Sequence, residues 1–154
     1  MKNIAIFIIL LSISISCNTS KVKKEQIIEV NLVVTSTSDY CGGVPPNDKM
    51  LENLKMPKTY GNKELFISRD SVLTDAIIQL SLDEIGKTTA SLSLGMYYVF
   101  FPNKVTAQLT SKENEVPCKR WKNEPNGTFF IETSSADVEV LLHMTCDPCG
   151  EARM

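Results

Sequence analysis

The sequence predicts an all-β fold: an antiparallel β-sandwich of six to seven short strands with one short helical insertion. Three observations carry that expectation. Runs rich in β-branched and aromatic residues recur along the chain, as in Ile27 to Thr35 and Tyr97 to Phe101. Two stretches alternate with a period of two, placing Thr88, Ala90, Leu92 and Leu94 on one face and, later, Val138, Val140, Leu142 and Met144 on one face. Clusters of turn formers separate the runs, among them Tyr40-Cys41-Gly42-Gly43-Val44-Pro45-Pro46 and Asp83-Glu84-Ile85-Gly86.

Taken in order, Ile27 to Thr35 is the first strand, ended by the Gly/Pro cluster that follows. Asn47 can accept from a free backbone N–H and so caps a short helix through Leu54, with Met50, Leu51 and Leu54 on one face and Pro57 as its stop. Leu65-Phe66-Ile67 is a short strand. Ala76 to Leu82 and Lys87 to Leu94 are two strands around a hairpin turn at Asp83 to Gly86. Gly95 breaks the second, and Tyr97 to Phe101 is a further strand that runs until Pro102. Phe129 to Glu132 and Asp137 to Thr145 complete the chain, joined through Thr133-Ser134-Ser135. Alternate members of Tyr97, Tyr98, Phe100 and Phe101 are expected to fill the core of a central strand, rather than form a binding platform.

The chain has 154 residues, a net charge of −2, 43% hydrophobic residues and a single His. This is one domain's worth of sequence. The balanced charge excludes a nucleic-acid partner, and no apolar run is long enough to span a bilayer. One His leaves little room for histidine-based catalysis. Gly86-Lys87-Thr88 imitates the end of a phosphate-binding loop, but Ser81 stands where the upstream Gly is needed and a strand follows, so no nucleotide is expected. The acidic residues Asp70, Asp75, Asp83, Glu84, Glu132, Asp137 and Glu139 are scattered and read as a solvated face.

The amino terminus carries an address. Met1-Lys2 is a basic start, and Ile4 to Ile15 is an apolar stretch of secretory length. It stops at Ser14-Ile15-Ser16-Cys17, which resembles the lipobox of bacterial lipoproteins, with small Ser16 before the Cys. That resemblance implies lipidation of Cys17, with residues 1–16 a signal peptide, 17–26 a polar, Lys-rich lipidated tether and 27–154 the β-sandwich domain. The expected location is the bacterial cell envelope, at the outer membrane facing the periplasm.

Asp83-Glu84-Ile85-Gly86-Lys87-Thr88, followed by Leu94-Gly95-Met96-Tyr97-Tyr98-Val99, resembles the signature of transthyretin-like, carboxypeptidase-regulatory-like domains. Ser81-Leu82-Asp83 stands where that group usually has Thr-Thr-Asp. The resemblance implies a small Greek-key sandwich. Tyr40-Cys41-Gly42-Gly43, Cys118-Lys119-Arg120-Trp121 and the run from His143 to Cys149 are similar to motifs of bacterial lipoproteins with this fold. No activity comes with that likeness.

Four cysteines remain beyond Cys17, namely Cys41, Cys118, Cys146 and Cys149. An even count in an exported chain reads as a disulfide framework, with three pairings open. Trp121 beside Cys118 is expected to cover such a bridge. Two other chemistries compete. His143, Cys146 and Cys149 with Cys41 or Cys118 have the ligand types of a zinc or copper centre. Cys146-Asp147-Pro148-Cys149 matches a thiol-disulfide redox motif, although too few residues follow it to build the helix that activates such a thiol. The reading drawn from all of this is a membrane-anchored, non-enzymatic binding or structural module. Its expected partners are the membrane, through the lipid, and another envelope protein.

Overall fold

The protein is described by a computed structural model in which residues 26–73, 77–110, 116–132 and 137–148 are placed. The expected signal peptide, the tether up to residue 25, the connector at 133–136, Ala76 and Cys149 lie outside the described residues.

The first strand, β1 (Ile27–Ser38), is the spine of one sheet. Its Val30, Leu32 and Val34 point inward, while Glu29 and Asn31 face out. Helix α1 (Asp48–Lys55) follows, and Asn47 caps it as expected by accepting from Met50 N–H at 2.9 Å. Strands β2 (Lys58–Thr59), β3 (Glu64–Ser68), β4 (Ile78–Ser81), β5 (Lys87–Ser93) and β6 (Gly95–Phe100) come next. Two helices, α2 (Pro102–Thr110) and α3 (Val116–Asn123), precede β7 (Gly127–Ile131) and β8 (Asp137–Met144).

These strands form two four-stranded sheets. In one, β1 pairs with β8 along one edge and with β5 and β2 along the other. The second runs β4-β3-β6-β7 and is antiparallel throughout. The core lies between them. Val30, Leu32, Val34, Leu92, Val140 and Leu142 from the first sheet meet Leu65, Ile67, Leu80, Tyr97, Val99, Phe129 and Ile131 from the second. The Tyr97 and Phe129 rings, cross-strand partners, stack with centroids 5.3 Å apart.

The sandwich expectation holds at this level, with three corrections. The turn at Asp83 to Gly86 does not make a hairpin, because β4 pairs with β3 in one sheet while β5 pairs with β1 in the other. The turn chemistry is real. Asp83 Oδ1 accepts from the backbone N–H of Ile85 and Lys87, and Gly86 takes a φ of 75° with its carbonyl bonded to Val34 N–H at 2.8 Å. Leu80, Leu82 and Leu92 nonetheless all need the core, and they reach it by facing one another from opposite sheets. Strand β8, secondly, is parallel to β1, so that sheet is mixed rather than antiparallel. Strand β7 runs down the molecule, and the return strand must run up it, in the direction of β1.

The third correction is the pair of helices after β6, in a stretch where the sequence shows no clear periodicity. They account for Phe100, which is fully buried although its side chain lies on the face opposite Val99. Helix α2 packs on α3 and contacts β3, covering the outer side of the second sheet. Within this layer Lys104 is only 1% exposed. Its Nζ donates to the Glu124 carbonyl at 2.6 Å and sits 5.0 Å from the centre of the Trp121 ring. The aromatic quartet is therefore no binding platform, since Tyr97, Phe100 and Phe101 are buried and Tyr98 is partly so.

Two devices hold the sheets in register. At the corner between β5 and β6, Gly95 adopts a φ of 127°. The Tyr97 hydroxyl accepts from Ser93 N–H and donates to the Ser93 carbonyl, while Arg69 donates to Ser93 Oγ and the Leu94 carbonyl. At the opposite end Asn126, only 5% exposed, makes four hydrogen bonds. Its N–H donates to the Val99 carbonyl and its carbonyl accepts from His143 N–H, both at 2.7 Å. Its Oδ1 accepts from Phe101 N–H, and its Nδ2 donates to the His143 carbonyl.

Asn126→Ala leaves the buried N–H of Phe101 and the part-buried carbonyl of His143 without these partners and should lower the unfolding free energy by about 2–3 kcal/mol, read from urea denaturation. A change below about 0.5 kcal/mol would show that the sheets do not depend on this residue. Burial holds the Lys104 ammonium below the ordinary Lys range, opposed by the nearby Glu124 and Asp147 charges. The unfolded chain then binds more protons as pH approaches that range, so stability rises with pH there. Lys104→Met should flatten this rise relative to the parent, and identical pH profiles would refute the assignment.

Candidate functional site

The upper end of the sandwich, where β1 and β8 finish side by side, gathers most of the chemistry-bearing residues singled out in the sequence. Parallel pairing sets Thr37 opposite His143 and Ser38 opposite Met144, and Asp39 N–H continues the ladder to the Met144 carbonyl at 2.8 Å. Cys41 and Cys146 lie just past the two strand ends. They form a disulfide with a Cα–Cα distance of 5.4 Å, closing a sequence separation of 105 residues.

His143 stands on the solvent face and is about half exposed. Its Nε2 lies 3.1 Å from Asp39 Oδ1, and its Nδ1 lies 3.1 Å from Thr37 Oγ1. An Nε2–H donating to the carboxylate leaves Nδ1 to accept from the hydroxyl, so each ring nitrogen has a partner. The ring thus clips β8 to β1 across the sheet face. Thr37, Ser38, Asp39 and Tyr40 form one wall of an open cavity of about 240 Å³, with His143 beside them and Leu51, Leu54 and Lys55 of α1 opposite. The Tyr40 hydroxyl donates to the Val44 carbonyl and folds the Gly42-Gly43 segment back on itself. Such a cavity offers an imidazole, a carboxylate, an ammonium and an apolar helix face, which are the elements of a binding surface.

A second, more polar depression of about 380 Å³ lies on the outer face of the β1 sheet, lined in part by Asn31, Lys87, Thr89, Asp137 and Glu139. There Thr89 Oγ1 donates to Asn31 Oδ1, and Asn31 Nδ2 donates to Asp137 Oδ1. This is a polar ladder across three strands. The acidic residues Asp70, Asp83, Glu84, Glu132, Asp137 and Glu139 are all exposed, as the solvated-face reading expects; Asp75 lies outside the described residues.

The cysteines settle into scaffolding. Cys41 pairs with Cys146, and Cys118, buried on α3 one turn from Trp121, is also disulfide-bonded. Of the alternative metal set of His143, Cys146, Cys149, Cys41 and Cys118, the thiols of Cys41, Cys146 and Cys118 are taken up in these bonds. Among the described residues no group of three or more His, Cys, Asp or Glu side chains is placed to hold a metal ion. Cys146, which the redox reading paired with Cys149, is bonded here to Cys41. A strand carried through to residue 146 would set His143 and Cys146 on opposite faces. Cys146 in fact lies beyond the end of β8, where alternation no longer governs. Cys17 and Cys149 lie outside the described residues. Thr37 and Asp39 were missed by the sequence reading; only the register of β1 against β8 brings them to His143.

Comparison with protein-family models, with characterised proteins and with solved structures returns no match to this chain.

Loss of the Cys41–Cys146 bond frees a loop of about 100 residues in the unfolded chain and should cost about 4–5 kcal/mol. The Cys41→Ser/Cys146→Ser double variant checks this by denaturation, beside a peptide map of the parent. A map linking Cys41 to another cysteine would overturn the pairing.

Proposed function

We propose that this chain is a lipid-anchored protein of the bacterial cell envelope, with a non-enzymatic, transthyretin-like β-sandwich that presents a binding surface away from the membrane. The observation that carries the reading is the opposition of the two ends of β1. The strand begins at Ile27 and, twelve residues long, ends beside the disulfide, His143 and the cavity. A strand of that length spans about 40 Å, so an anchor at Cys17 would hold the cavity at the distal end of the domain.

The disulfide supports export, since such bonds persist in oxidising compartments such as the periplasm. The lipobox-like Ser14-Ile15-Ser16-Cys17 supports lipidation, and two or three acyl chains anchor stably where a single one does not. Exposed Val44, Met50, Leu51 and Met56 line or flank the distal cavity and suit another envelope protein as the partner. The Cys41–Cys146 bridge stiffens this end before any partner arrives, which limits the ordering cost of association.

The decisive measurement is the intact mass of the protein purified from envelopes, together with its partition between membrane and soluble fractions. A diacylglyceryl-modified mature chain starting at Cys17, released to the soluble fraction by Cys17→Ser, is the expected outcome. An unmodified chain that partitions as soluble sinks the proposal.

A further inference from the structure

Strand β5 lies at an edge of the first sheet, and its hydrogen bonds alternate in direction. Val34 N–H bonds to the Gly86 carbonyl, and the antiparallel register carries that phase down the ladder, so Thr88, Ala90 and Leu92 turn their peptide groups to β1. The peptide groups of Lys87, Thr89, Ser91 and Ser93 point off the sheet. Side chains and a turn seal both ends of this edge. Lys87 N–H donates to Asp83 Oδ1 and its carbonyl accepts from Asp83 N–H, while the Tyr97 hydroxyl accepts from Ser93 N–H and donates to the Ser93 carbonyl. Between the seals Thr89 and Ser91 are exposed, and among the described residues nothing bonds to their N–H or carbonyl groups.

We propose that this edge docks a short extended segment of another envelope protein, which adds as an antiparallel strand along Thr89 and Ser91 and carries an apolar residue between two basic ones. The choice of partner rests on the anchored reading above; the edge itself is a property of the domain.

The stretch Thr88-Thr89-Ala90-Ser91-Leu92 has no charge, Pro or Gly, the means by which exposed edges repel other strands. The edge at β8 differs, since it carries Asp137, Glu139 and His143 and packs toward β7. A strand laid against β5 satisfies every free group of Thr89 and Ser91. Its side chains then follow the pleat. The residue opposite Ala90 points between the sheets, where Ala90 is small and Ile78 of β4 is 43% exposed although its cross-strand partner Ile67 is in the core. An apolar side chain there covers Ile78. The residues opposite Thr89 and Ser91 point to the outer face, which is acidic. Glu29 is the cross-strand partner of Ser91, and Asp83, Asp137 and Glu139 border the depression of about 380 Å³ that Thr89 helps to line, against Lys87 there and Arg69 near Ser93. Lys or Arg at both positions complements that charge.

A second copy of this chain fits less well. Antiparallel pairing of β5 with β5 runs the two β1 strands in opposite directions, with their Ile27 ends facing opposite ways. The nine residues from Asn18 to Gln26 reach roughly 17 Å, short of the roughly 40 Å length of β1, so two such copies cannot both be anchored in one membrane surface.

The test uses the acylated full chain in phosphatidylcholine nanodiscs and a fluorescein-labelled peptide, Thr-Lys-Val-Lys-Thr, followed by anisotropy against empty discs. Binding is expected at millimolar peptide, with slowed amide exchange at Thr89 and Ser91 read by NMR. N-methylation of both peptide lysines removes the donors that face β5 and should weaken binding more than about tenfold, whereas N-methylation of the valine, whose N–H points away, should change it less than about twofold. Ser91→Pro removes a donor on the free side only and should abolish binding with an unchanged unfolding midpoint. Should that variant fail to fold, the N-methylated peptides decide alone. No binding at millimolar peptide, or equal effects of the N-methyl groups at lysine and valine, overturns the inference. Slow exchange at Thr89 and Ser91 before peptide is added, with cross-linked dimers, would mean that a second copy holds the edge, and also overturns it. A chain that carries no lipid overturns the anchored reading, while the peptide series still decides whether the edge takes a strand.

Discussion

Asn126 closes the structure. A sandwich of two sheets has open sides, and on the β7/β8 side one buried side chain and its own peptide groups bridge the gap. Bonds to Val99 and Phe101 tie it to the second sheet, and two bonds to His143 tie it to the first. The carboxamide suits this role because it is donor and acceptor in one planar group, able to satisfy a backbone N–H and a backbone carbonyl of two separate strands. The His143 ring is held in turn, since its backbone is pinned from one side by Asn126 and its imidazole from the other by Thr37 and Asp39. The distal surface inherits its geometry from the packing between the sheets.

A second constraint is the way the chain changes sheets. Neighbouring strands such as β4 and β5, or β5 and β6, would form hairpins if turn chemistry alone decided. Each of these pairs splits between the sheets instead, because both partners carry inward apolar residues that bury better face to face than edge to edge. The corners need residues that tolerate the crossing. Gly86 and Gly95 supply positive φ, and the Tyr97 hydroxyl with Arg69 satisfies the backbone of Ser93 and Leu94 that the corner leaves unpaired.

The resulting molecule is polar along its long axis in the geometric sense. One end holds the start of β1 and the corner at Gly95. The other carries the disulfide, α1, the His143 clip and the open cavity. Parallel pairing of β1 with β8 creates this asymmetry, because it brings two chain segments a hundred residues apart to an end together and delivers both cysteines to one place. An antiparallel pairing would have put Cys41 and Cys146 at opposite ends.

Periodicity of two is a local property, and so the inward faces of β5 and β8 were legible from residue order: Leu92, Val140 and Leu142 are buried where alternation placed them. The Asn47 cap was legible for the same reason, since it concerns atoms three residues apart. The pairing partners were not. Whether β5 lies beside β4 or beside β1, whether β8 runs parallel, and which cysteine meets Cys41 depend on contacts between residues tens of positions apart. The helices after β6 escaped notice because their apolar residues serve a second, smaller core under α2 and α3, where Phe100, Lys104 and Trp121 meet without any repeating pattern. Thr37, Asp39 and His143 illustrate the division most clearly. Alternation in the last strand by itself set His143 on the face away from Val140 and Leu142, and nothing in residue order singled out Thr37 or Asp39. Only the tertiary structure decided that they touch, because register between distant strands is set by the fit of the whole core and not by any neighbouring residue.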